Sequence, residues 1–175
     1  MKSVLISIQP KWCELIASGK KTVEIRKTKP ALEVPFKCYV YMTKSKWYKD
    51  NNGVYHRGNG KVIGEFVCDK VYDIKPHFDK PDFCNQYLCD WNWGEGTACL
   101  SFSEMNDYLK GEKGYGWHIS DLVIYDKPKE LSEFFYACDK PIGTDCAVCL
   151  DHGEHKCKSI KRPPQSWCYV EERGE

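Results

Sequence analysis

The apolar runs of this chain are short, and that shortness restricts its fold more than any other feature. Residues 3–8 alternate like a strand. Pro10, which suits the first turn of a helix, opens a segment with Trp12, Leu15 and Ile16 at i, i+3 and i+4. Gly19 ends that helix where a left-handed residue is wanted. Residues 21–27 then alternate in period two, with Val23 and Ile25 facing one way and Thr22, Glu24 and Arg26 the other. Residues 36–43 read as a third strand, 44–60 as a polar loop, and 61–72 as a long strand in which Gly64 marks a bulge or a close backbone approach. Residues 73–100 support no assignment. Ser101 and Glu104 then form a capping box ahead of Met105, Tyr108 and Leu109. Residues 115–125 read as strand, 128–135 as one or two helical turns, and 167–170 as a closing strand. Helices this short do not make the crossovers of a doubly wound parallel sheet. The expected fold is mainly β (α+β), a compact and partly open β-barrel with peripheral helices.

A length of 175 residues predicts one domain, 1–175, and six Trp, eleven Tyr and seven Phe supply an ample core. The eleven cysteines fall short of the roughly 8–10% of a disulfide-stapled secreted scaffold, and the odd number leaves one thiol over if all others pair. The apolar run 4–8 is shorter than a signal-peptide core, and no stretch approaches the ~18 apolar residues of a membrane span. A cytoplasmic, reducing compartment follows as the expectation, with cysteines acting as ligands or buried thiols. The net charge of +1 conceals a division: residues 1–50 carry eleven basic and four acidic side chains. Such a segment favours polyanionic partners, and equally it suits solvated lysines that block edge-to-edge strand pairing.

The segment Gly19-Lys20-Lys21-Thr22-Val23-Glu24-Ile25-Arg26 is the most informative. It sets a glycine-terminated helix beside a strand presenting a hydroxyl, a carboxylate and a guanidinium in one row. Two readings stand: a surface ladder of ion pairs, or a polar cleft in which Lys21 and Glu24 hold or activate a ligand. The stretch SIQPKWCELIASGKKTVEIRK resembles the opening of the ASCH domain, whose signature is a helix followed by G-x-K-x-x-E-x-R, here Gly19, Lys21, Glu24 and Arg26. GYGWHISDLVIYDKPKELSEF at 114–134 agrees with the family, and RPPQSWCYVEE at 162–172 resembles the ending of a group of these proteins found in bacteria and their phages.

The resemblance implies a PUA-like barrel related to modules that bind RNA or modified bases, with a cleft lined by the motif. It also points to small amidohydrolases acting on acylated cytidine, whose lysine corresponds to Lys21 but whose nucleophilic threonine is replaced here by Glu24. Covalent acyl transfer therefore does not carry over, although Glu24 as a general base on water, with Lys21 stabilising an oxyanion, remains the alternative, as does a ribonuclease. The expected partner is RNA or a modified nucleotide, with DNA as a further option and no membrane. Candidate contacts are Ser7, Lys20, Lys21, Thr22, Glu24, Arg26, Tyr41, Lys44, Trp117 and His118. Lys27, Lys29, Lys37 and Lys46 add positive field, and Trp12, Trp47 and Tyr115 add candidate stacking faces. For each aromatic, filling the core is the competing role.

Cys138, Cys146, Cys149 and Cys157 form C-x7-C-x2-C-x7-C, with Asp151, His152 and His155 between them. The C-x2-C step lets two thiolates share an ion, and four thiolates make a closed structural zinc site within an inserted segment, 138–157. A histidine in place of an end cysteine, uncoordinated thiols, and disulfides are the alternatives.

Overall fold

A computed structural model describes residues 2–44, 47–49, 53–76, 87–89, 97–138, 149–151 and 156–171. In chain order the elements are β1 (Lys2–Ile8), α1 (Pro10–Ala17), β2 (Val23–Arg26), β3 (Phe36–Met42), β4 (Tyr48–Lys49), β5 (Tyr55–His56), β6 (Val62–Cys68) and β7 (Val71–Pro76). There follow β8 (Tyr87–Cys89), α2 (Phe102–Leu109), β9 (Gly114–His118), β10 (Ser120–Lys129), a single 3-10 turn (Leu131–Glu133), β11 (Phe135–Tyr136), β12 (Cys149–Asp151), β13 (Lys156–Cys157) and β14 (Trp167–Glu171). The chain divides into two compact units, residues 1–13, 37–66 and 123–175 in the first and 14–36 and 67–122 in the second.

The first unit is built on a six-stranded sheet in the order β10-β6-β3-β1-β14-β11. Strand β1 lies inside it, parallel to β3 (Val4↔Cys38 to Ile8↔Met42) and antiparallel to β14 (Lys2↔Glu171 to Ile6↔Trp167). Val4, Leu5 and Ile6 are all fully buried, so this strand is covered on both faces, which explains its continuous apolar run. Leu5, Tyr39, Tyr41, Val62, Leu131, Phe134, Ile160 and Val170 form the unit's core.

Gly64 in β6 is a close-approach position, one of the two roles the sequence allowed. A Cβ there would drive into the carbonyl oxygen of Val123 and sit 3.1 Å from the Ile124 side chain. Because the chief obstacle is backbone, Gly64→Ala is expected to cost about 1–3 kcal/mol, checked by urea unfolding of the variant against the parent.

The second unit carries the antiparallel sheet β2-β9-β7-β8 and the helix α2. The capping box is present: Ser101 Oγ accepts from the Glu104 N–H at 3.2 Å, and the Glu104 carboxylate accepts from the Ser101 N–H at 2.9 Å. Met105 and Leu109, four apart on α2, pack with Val23, Ile25, Tyr72 and Ile74 of the sheet. Lys110 closes the helix in the left-handed region, with φ 56°.

Five expectations change. The strand expected at 61–72 is two, β6 and β7, and that at 115–125 is also two, β9 and β10; in each case the partners lie in different sheets. Strand-forming residues continue through both breaks, so periodicity alone does not mark the change of sheet. The loop 44–60 contains the small hairpin β4–β5, with Tyr48 stacked on His56 at 5.5 Å. The helix expected at 128–135 shrinks to one 3-10 turn, because β10 runs on to Lys129; as a sheet-edge strand it accommodates Pro128. Finally, the described strands form open sheets and do not close into a barrel.

Candidate functional site

The signature motif lies wholly in the second unit. Helix α1 ends at Gly19, whose φ of +71° lets the chain reverse, and the Lys21 N–H returns to the Leu15 carbonyl at 2.9 Å. From there β2 enters the sheet beside β9, with Glu24 opposite Trp117 and Arg26 opposite Tyr115. The polar row expected to face solvent or an open cleft is buried instead. Lys21 is 2% exposed, Glu24 6% and Arg26 7%.

These three side chains form one paired network. The Lys21 ammonium donates to the Val23 carbonyl at 2.9 Å and the Ala98 carbonyl at 2.6 Å, and lies 3.3 Å from Glu24 Oε2. Arg26 Nη2 meets the other carboxylate oxygen at 3.0 Å. An ammonium has three N–H donors, so these contacts employ its full capacity. Charges buried this deeply persist only when paired and hydrogen-bonded. Thr22 supports the same wall: its Oγ1 accepts from the Thr97 N–H at 2.9 Å, and the Thr22 and Val23 N–H groups donate to the Thr97 carbonyl. The segment 97–100, unassigned in sequence, thus supplies the carbonyl that Lys21 binds.

The other expected contacts divide. Trp117 is fully buried and meets Phe36 edge-on, ring centres 5.7 Å apart, so it is a core residue and not an exposed stacking face. His118 Nδ1 lies 2.7 Å from Asp69 Oδ1. Burial pushes the Asp69 carboxyl up, but the hydrogen bond and charge of His118 outweigh it and hold the group below its ordinary value. Lys20 is exposed. Ser7, Tyr41 and Lys44 belong to the first unit: Ser7 Oγ donates to the Pro164 carbonyl at 2.7 Å, Tyr41 is buried with its phenol pushed up by desolvation, and Lys44 is exposed. Also in that unit, Lys37 pairs with Glu65 at 2.9 Å, Trp47 is 67% exposed, and Trp12 is half-buried under the Lys11 amine. Lys46 lies outside the described residues.

Where β2 and α2 end, the buried network gives way to tyrosine and lysine. The Lys27 amine stands 5.4 Å from the centre of the Tyr108 ring, and Lys29 and Lys113 stand 5.2 and 5.9 Å from that of Tyr115. All three lysines are exposed, Tyr108 is 37% exposed and Tyr115 half-buried. Partial burial raises the Tyr108 phenol pKa, with the charge and hydrogen bond of Arg26 pulling the other way, so the tyrosine joins the network to the surface. Tyr108 and Lys113 were absent from the candidates drawn from sequence. The i, i+3 spacing of Met105 and Tyr108 assigned the tyrosine to the helix's apolar face, and Lys113 falls outside the basic first fifty residues.

Among the described residues no group of three His, Cys, Asp or Glu side chains is placed to hold a metal. Of the expected zinc ligands, Cys138 and Cys157 are thiols outside any disulfide, and Cys149 is described in its backbone alone. Cys146, His152 and His155 lie outside the described residues.

A family model described as ASCH domain matches residues 6–120, which includes the motif, the segment 97–100 and strand β9. The chain is similar to the crystal structure of ASCH from Zymomonas mobilis, with a TM-score of 0.59 and 21% identity over 97% of this chain and 87% of that one. A variant of the same protein matches with a TM-score of 0.58 and 19% identity over 97% and 88%. Among curated proteins nothing matches.

Proposed function

The chain belongs to the ASCH domain family, and on that premise we propose that it binds RNA, with its exposed tyrosine–lysine surface as the contact face. The observation that carries this reading is the pairing of two accessible aromatic rings, Tyr108 and Tyr115, with the amines of Lys27, Lys29 and Lys113. Lysines neutralise phosphates and release counterions, and aromatic faces stack bases whatever their sequence. Family membership makes nucleic acid the expected partner. No described helix is long and apolar enough to cross a membrane.

The buried motif serves this surface from beneath. Lys21 and Glu24 spend their polar capacity on Val23, Ala98 and Arg26, which suits a scaffold that fixes β2 and segment 97–100 better than it suits acid–base turnover. Arg26 lies near enough to Tyr108 for its charge and hydrogen bond to oppose the upward push of burial on the phenol pKa. A nucleotide is thus held by stacking and by phosphate contacts, with Lys20 at the end of α1 adding to the positive field.

The test is fluorescence anisotropy of a short labelled single-stranded RNA over a range of salt concentrations. The parent protein is expected to bind with a log–log salt slope that shrinks by about 2 in Lys27→Ala/Lys29→Ala/Lys113→Ala, since each single-strand phosphate contact contributes ~0.7. Tyr115→Ala is expected to lose about 1–3 kcal/mol, or roughly 5- to 150-fold in affinity. Salt-independent binding, or variants indistinguishable from the parent, would refute this surface.

A further inference from the structure

We infer that the hairpin β4–β5 is a second RNA-contact element, on which unpaired bases stack against Trp47 and Tyr55 while Lys49 and Arg57 meet the phosphates. The inference rests on RNA being the ligand, and it goes beyond the tyrosine–lysine surface, which belongs to the other unit. Among the described residues Trp47, Tyr55 and Val54 are the most exposed large apolar side chains, at 67%, 62% and 52%. All three lie on this one hairpin. Single exposed apolar side chains are ordinary, whereas a group of them marks a surface that meets a partner.

The hairpin is pinned at its base. The Met42 N–H donates to the Lys61 carbonyl at 2.9 Å, closing the chain where it leaves β3 and returns to β6, and the Thr43 N–H donates to the Ile8 carbonyl at 2.9 Å. Gly58 packs so closely that a Cβ there would run into the Thr43 carbonyl and the Pro10 ring. Above that base, the register pairs Tyr48 with His56 and Lys49 with Tyr55. Successive residues of a strand face opposite ways, so the half-buried Tyr48–His56 stack takes one face and the exposed Lys49–Tyr55 pair takes the other. The Lys49 amine stands 5.6 Å from the centre of the Tyr55 ring. Charge then selects the partner. Residues 43–61 hold Lys44, Lys46, Lys49, Arg57 and Lys61 against one acid, Asp50. A nucleic acid supplies a flat ring and a phosphate in every repeat, and so uses both halves of an aromatic–cation pair; unpaired bases offer the open faces that a duplex hides.

The test uses the full chain and the labelled single-stranded RNA of the anisotropy experiment. Trp47→Ala and Tyr55→Ala are each expected to weaken binding roughly 5- to 150-fold, the range for one lost base stack, and Tyr55→Phe, which keeps the ring, to bind like the parent. Lys49→Ala/Arg57→Ala is expected to reduce the log–log salt slope by about 1.4, the share of two single-strand phosphates. Because these side chains are exposed, urea midpoints are expected to match the parent's, which separates a lost contact from lost folding. On a blunt duplex of the same sequence Tyr55→Ala is expected to bind as the parent does, and an equal loss there overturns the stacking. Parent-like binding of the single strand by all the hairpin variants overturns the inference, while a weakened Tyr115→Ala in the same series leaves the tyrosine–lysine surface standing. Absence of salt-dependent RNA binding by the parent overturns both. If Trp47→Ala/Tyr55→Ala keeps its RNA affinity but loses a dimer, or binding to phosphatidylcholine–phosphatidylserine vesicles, that the parent shows, the hairpin belongs to a second copy or to a lipid surface and the inference falls.

Discussion

Replacing Glu24 with alanine is expected to lower folding stability by about 3–5 kcal/mol, because it removes the carboxylate that lies between two buried cations. With a urea m-value of about 2 kcal/mol/M, the midpoint falls by roughly 2 M. Lys21 and Arg26, 2% and 7% exposed, are left in the second unit without the carboxylate that lies between them. Glu24→Gln keeps the volume and one acceptor while removing the charge, so it is expected to fall between the parent and Glu24→Ala. Lys21→Met retains the apolar stem but strips the donor from the Val23 and Ala98 carbonyls, and should loosen segment 97–100. Because Lys21 and Glu24 touch, the double variant Lys21→Met/Glu24→Gln is expected to be non-additive by about 0.5–3 kcal/mol. Full stability in Glu24→Ala combined with lost RNA affinity would instead assign the carboxylate to the ligand.

That buried network also explains which parts of the molecule are legible in sequence. The opening strand, the helix from Pro10, the Gly19 reversal, the Ser101–Glu104 capping box and the closing strand all rest on local signals, and each is found. Burial of β2 rests on non-local packing. Alternation of Val23 and Ile25 with Thr22, Glu24 and Arg26 implies one wet face, yet the second face lies against Thr97–Ala98, a segment with no secondary-structure signature of its own. Changes of sheet at Asp69–Lys70 and at Ile119 were equally hidden, since a strand that leaves one sheet for another keeps its β-forming residues. On α1 the apolar face is centred on Cys13 and Ile16, one residue away from the Trp12 stripe, because a small buried thiol counts as a hydrophobe. The candidate surface was half legible. Lys27, Lys29 and Tyr115 were marked by charge and aromaticity, whereas Tyr108 and Lys113 join them through the meeting of β2, β9 and the end of α2.

Trp117→Ala is expected to cost about 3–5 kcal/mol of stability, the range for truncating a large buried aromatic. The indole has no exposed surface, packs edge-on against Phe36, and occupies the register position opposite Glu24, so its loss opens a cavity under the ion network as well as in the core. Trp117→Phe fills more of that space and is expected to destabilise less, with RNA affinity unchanged at temperatures where the variant is folded. The contrast with Tyr115→Ala is what gives the experiment its force. A core indole reads out in urea unfolding and leaves the binding isotherm alone; a half-buried tyrosine under two lysine amines reads out in the isotherm and moves stability little. A base stacked on Trp117 would reverse the pattern, since Trp117→Phe would then weaken binding while the protein stayed folded. Measuring both variants by both methods separates the residue that builds the motif's floor from the residue that meets the ligand.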